Sequence, residues 1–104
     1  MATTDKRLCS GVFGASNATL YTAPATAGNY VIVKAVTICN KTSASHTVTL
    51  KFDAIEVVAT HTILGYDTVT IPFIDQILEA SEIIEGSADA ADSINYYISG
   101  KEIT

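Results

Sequence analysis

The segment Tyr30-Val-Ile-Val-Lys-Ala-Val-Thr-Ile-Cys-Asn40 constrains the fold of this chain more than any other. It is rich in β-branched side chains and apolar on both alternating faces, the pattern of a central strand covered on two sides. The run Asn40-Lys-Thr-Ser-Ala-Ser45 then supplies turn residues that bond their own backbone, and His46-Thr-Val-Thr-Leu-Lys-Phe52 follows in period two. A hairpin is expected, with Val48, Leu50 and Phe52 facing the core and Thr47, Thr49 and Lys51 facing solvent. Ile32, Val36 and Ile38 are expected to share that core.

Shorter strands continue the pattern. Ile55 to Leu64 ends at the turn Gly65-Tyr66-Asp67, before Thr68-Val-Thr-Ile-Pro-Phe73, where Pro72 belongs at a strand end or an edge because it cannot donate to a ladder. Gln76 to Glu85 fits a helical template, but Gly86 closes it quickly, and two short strands around a turn at Glu79 to Ser81 are preferred. The last strand is expected over Ser93 to Ser99, with Ile94, Tyr96 and Ile98 on one face and Gly100 ending it. Tyr96 and Tyr97, being adjacent, face opposite sides. The fold class is therefore all-β, an antiparallel β-sandwich, jelly-roll-like or immunoglobulin-like, of about seven or eight short strands. It occupies 8–104 as one domain, behind a flexible N-terminal arm at 1–7.

Composition narrows the functional classes. The chain has 104 residues, 48% of them hydrophobic and 16% charged, and its mean hydropathy is +0.31, too apolar for disorder. The net charge is −5, and the basic residues Lys6, Arg7, Lys34, Lys41, Lys51 and Lys101 are dispersed. Nucleic acid is disfavoured as a partner, since phosphate neutralisation needs clustered cations. No apolar run approaches the ~18 to 20 residues of a membrane span, and the polar start lacks the apolar core of a leader, so synthesis in the cytosol is expected. Asp75, Glu79, Glu82, Glu85, Asp89 and Asp92 read as a solvated acidic face, and their spacing does not match a calcium loop.

Chemistry is sparse. Cys9 and Cys39 read as thiols acting as small buried hydrophobes, with a disulfide between them left open. His46 and His61 lack zinc-site spacing. Neither a Gly-x-Ser-x-Gly elbow nor a phosphate-binding loop is present, and a domain of this size has little room for both a core and a cleft. No enzyme activity, metal or cofactor is expected. Asn17-Ala-Thr and Asn40-Lys-Thr fit the glycosylation sequon, but both asparagines read better as turn formers.

Three segments, Thr19-Leu-Tyr-Thr-Ala-Pro24, Ala35-Val-Thr-Ile-Cys-Asn-Lys-Thr42 and Ile98-Ser-Gly-Lys-Glu-Ile103, carry a resemblance. In their order they are similar to motifs of small virion structural proteins of tailed bacteriophages, and the resemblance runs from about Leu8 to Ile103. It implies a role in the particle, with no catalytic residues to carry over.

The expectation that follows is a capsid decoration or cement protein, made in the host cytoplasm and residing in the virion. It would self-associate as a trimer or dimer and dock on the major capsid protein or other virion proteins. The alternative is a tail or fibre-associated module that binds host-surface carbohydrate, for which Tyr21, Tyr30, Tyr66, Tyr96 and Tyr97 are the aromatic candidates. The interface residues expected are Thr3, Thr4, Asp5, Lys6 and Arg7, on an arm that adds to a neighbour's sheet edge.

Overall fold

The computed structural model describes residues 2–104. It contains nine strands: β1 (Thr3–Val12), β2 (Ala18–Thr22), β3 (Tyr30–Asn40), β4 (His46–Phe52), β5 (Ile55–Ile63), β6 (Thr68–Ile71), β7 (Gln76–Glu79), β8 (Ile83–Ala88) and β9 (Ile94–Ile103). They form two sheets. The first runs β1-β9-β3, and β6 and β7 share the far edge of β3; the second runs β2-β8-β4-β5. Every pairing is antiparallel. The sequence-based expectation of an antiparallel sandwich holds, with β3 and β4 at the expected bounds.

The core lies between the sheets. From the first come Val31, Val33, Val36, Ile38, Leu78, Ile94 and Ile98, and from the second Val48, Leu50, Phe52, Ile63 and Ile84. Ile32 is not among them. A β-bulge between Val33 and Ala35, around Lys34, resets the phase of β3. Val31 and Val33 point inward before it and Val36 and Ile38 after it, leaving Ile32 on the outer face opposite Ile77.

Two glycines do unexpected work. β9 does not end at Gly100 but continues to Ile103, and glycine fits there because a Cβ would run into the Ile32 carbonyl that passes close by. Gly86 lies inside β8, where the missing side chain admits the fully buried ring of Phe13. Phe13 also tilts against Tyr96 at a centroid distance of 4.7 Å, and Tyr97 on the opposite face is half exposed.

The segment 1–7 is placed otherwise than as a free arm, apart from Met1, which lies outside the described residues. Thr3 to Arg7 pair with Ile103 to Ser99, and Ala2 exchanges two backbone hydrogen bonds with Thr104. The side chains of this stretch are exposed, as its polarity suggests. Its order comes from backbone groups, which need no apolar side chain to pair.

Candidate docking surfaces

The outer faces of the two sheets differ in chemistry. That of the second sheet is hydroxyl-rich and charged: Thr47 opposite Thr62, Thr49 opposite Ser87, and Lys51 between Glu56 and Glu85. It is a solvated face. The outer face of the first sheet carries Tyr30, Ile32, Thr37 and Cys39 from β3, Ile77 from β7, and Tyr97 from β9, all standing away from the core. Ile77 is 59% exposed and Tyr97 50%. The apolar content on both faces of β3, which predicts cover on two sides, thus meets cover on one.

The two lateral sides differ as well. On one, β1 and β2 form the edges, and β1 carries Asp5, Lys6 and Arg7. The Arg7 guanidinium lies 5.7 Å from the centroid of the Tyr97 ring and, among the described residues, makes no ion pair. Lys6 reaches Glu102 at 3.4 Å, and Lys101 stands 3.7 Å from Asp5.

On the other side β5 faces β6 and β7 across an open seam. One groove of about 370 Å³ is lined by Val57, Val58, Val69, Ile71 and His61. A second, of about 190 Å³, is lined by Ile55, Val57 and Ile77 with Asp53 and Glu82 at its rim. The hydrogen bond between these two carboxyl groups is the first cause of a raised Asp53 pKa, followed by desolvation and the Glu82 charge. Between β6 and β7 the chain bulges outward at Phe73, which is 85% exposed and held at a φ of 57°, a conformation that bulky side chains rarely adopt.

The residues singled out for chemistry do not converge. His46 bonds Asp89 at 2.8 Å, while His61 sits in the seam. Among the described residues no three His, Cys, Asp or Glu side chains gather as metal ligands, and no helix is long and apolar enough to cross a membrane. Of the late acidic residues, Asp75 pairs with Lys34 at 2.6 Å, Glu85 accepts from Asn17 and Glu82 from the Glu79 amide. They serve several local bonds, not one face. Cys9 and Cys39 are separated by β9 and lie on opposite faces of the first sheet, so the disulfide left open by the sequence has no route.

The tyrosines form no platform. Tyr21 donates to Glu102, tying the second sheet to the first, and Tyr96 packs in the core. Tyr30 and Tyr97 stand at levels seven residues apart along β3, about 23 Å. The segments that carry the sequence resemblance hold the fold: Tyr21 with Glu102, and Asn40 with Thr42. Sequence reasoning missed the seam, which only the topology assembles, and the exposed Phe73.

No family model matches the chain, and no curated protein matches it. Among solved structures it is similar to the Drosophila NLP core, from a study of pentamer formation and histone binding, at 15% identity and a TM-score of 0.54. That alignment covers 95% of this chain and 100% of the other. A structure of the Gx strain of infectious bursal disease virus aligns at 13% identity and a TM-score of 0.48, covering 97% of this chain and 30% of that one. At such identity the likeness to the NLP core is one of fold: a two-sheet antiparallel sandwich.

Proposed function

We propose that this chain is a non-enzymatic virion structural protein that decorates a phage head, acting as cement by self-association and by docking on the capsid lattice. The observation that carries the reading is the uncovered apolar surface, on the outer face of the first sheet and along the β5–β6–β7 seam, against a hydroxyl-rich opposite face. Monomeric proteins seldom leave such a surface open, and covering it stabilises the folded state by mass action. The sequence resemblance to small phage virion proteins supports the setting. The pentamer formation named for the NLP core supports self-association of this kind of sandwich. The lattice-facing surface in this reading is the outer face of the first sheet.

Mass spectrometry and electron cryomicroscopy of purified virions test the proposal. The expected result is the chain in stoichiometric amount on the head, with the sandwich resolved at a local symmetry axis. Its absence from virions, or a position on a tail fibre, overturns the cement reading, and binding on a glycan array would favour the carbohydrate module.

A further inference from the structure

We infer that the partner of the β5–β6–β7 seam is the β1 edge of a second copy of this chain, in a head-to-tail contact with Phe73 as its anchor. This deepens the self-association reading and rests on it. Three observations point to a second copy seated in this way.

The first is strand direction. Each sheet is four strands wide and wholly antiparallel, so its two edges run in opposite directions: β1 against β6 and β7, and β2 against β5. A neighbour placed alongside in the same orientation brings β1 antiparallel to β6 and β7 and, at once, β2 antiparallel to β5. Both sheets can then continue from copy to copy.

The second is level. Arg7 is opposite Ser99, which is opposite Ala35. On the far edge, β6 ends opposite Val36 and β7 begins opposite Val33, so the bulge carrying Phe73 lies beside Lys34 and Ala35, and the Ile74 amide donates to the Lys34 carbonyl at 3.0 Å. Arg7 and Phe73 therefore occupy the same height on opposite sides of the first sheet. A side-by-side neighbour puts the exposed Phe73 ring against the Arg7–Tyr97 pair, extending an arginine–aromatic stack already half built.

The third is charge. At the level of Phe73 the seam side offers the half-exposed Asp75 carboxylate, which pairs with Lys34 at 2.6 Å, and the β1 edge offers Arg7, which among the described residues makes no ion pair. A contact of β1 on β1 would bring two unpaired Arg7 guanidinium groups together, whereas the head-to-tail contact brings Arg7 to Asp75.

Sedimentation velocity on the full chain tests this with Phe73→Ala and Arg7→Glu, both exposed positions, after circular dichroism shows that each variant keeps its strand spectrum. The wild type is expected to self-associate, and each variant to do so at least tenfold more weakly. The decisive sample is the equimolar mixture. Phe73→Ala keeps a working β1 edge and Arg7→Glu a working seam, so together they form one good contact and stop at a dimer. A monomeric wild type overturns the self-association reading itself. Wild-type association that Arg7→Glu leaves intact, or a mixture that stays monomeric, overturns the head-to-tail contact and leaves self-association standing.

Discussion

Asn40 ends β3 fully buried, and its side chain holds three segments together. The amide nitrogen donates to the carbonyls of Ala44, Ile63 and Leu64 at 2.8, 3.0 and 3.2 Å, and the amide oxygen accepts from the Thr42 backbone at 3.0 Å and its hydroxyl at 2.8 Å. A sequon was legible at this position and turn formation was inferred; the burial that removes it from any glycosylating surface was not, because nothing local distinguishes a solvated turn asparagine from a buried one. Asn40→Asp is expected to cost about 3 kcal/mol at neutral pH in urea unfolding, more than Asn40→Ala, since a carboxylate cannot donate to three carbonyls and leaves charge among them. Cys9 supplies a second test. Burial pushes its thiol up to about 11 from 9.0, and burial likewise raises Tyr21 and Tyr96. The native state then holds protons that the unfolded chain releases, so the stabilisation is complete below pH 9 and is lost as pH rises through 11. Unfolding free energy should fall over that window, and Cys9→Ala should remove about 1 kcal/mol of the fall, discounted for partial exposure.

Elements were legible in proportion to how much their own residues decide. β3 and β4 satisfy period two over many residues, and their bounds follow from the sequence. The short strands β7 and β8 around a turn were expected as such, although Gly86, read as closing the stretch, lies inside β8. What failed were features set by a partner strand. The bulge that turns Ile32 outward answers to β9, and no alternation within β3 announces it. Gly100 reads as a terminator in isolation, yet its place inside β9 is dictated by a carbonyl of β3. Gly100→Ala should therefore behave as an overpacked strand and not as a weakened turn, with a loss of about 2 to 3 kcal/mol in equilibrium unfolding as β3 and β9 are forced apart. The hairpin between β4 and β5 has the opposite margin. Asp53 and Ala54 sit at φ of 51° and 62° in a two-residue loop, a conformation that glycine adopts freely and alanine does not. Ala54→Gly is expected to raise stability by about 0.5 to 1 kcal/mol.

At the scale of the whole molecule the asymmetry of the sandwich is the feature with functional content. The exposed apolar side chains concentrate on one lateral side and one outer face, and an edge strand bearing Lys6 and Arg7 closes the other lateral side. Residues Thr3 to Arg7 were singled out from sequence as an interface because they are polar and precede the first apolar strand; their pairing with β9 changes the means, since a fixed edge, and not a loose arm, is what a neighbour would meet. The seam was not legible, because it joins residues of β5, β6 and β7 that only the topology brings together. A head-to-tail contact through these two edges repeats until it closes, which excludes a two-fold dimer through this surface and suits a ring of three or more. Such a ring has a thermodynamic signature that a monomer lacks. Folding and association are linked, so raising the protein concentration tenfold should add up to about 1.4 kcal/mol of stability per protomer and move the thermal midpoint upward. For Phe73→Ala, whose monomer loses no buried contact, the midpoint should match that of the dilute wild type and stay flat with concentration. High salt should shift the wild type toward the same behaviour, by screening Arg7 from Asp75. A midpoint independent of both concentration and salt in the wild type would mean that the edges stay apart in solution.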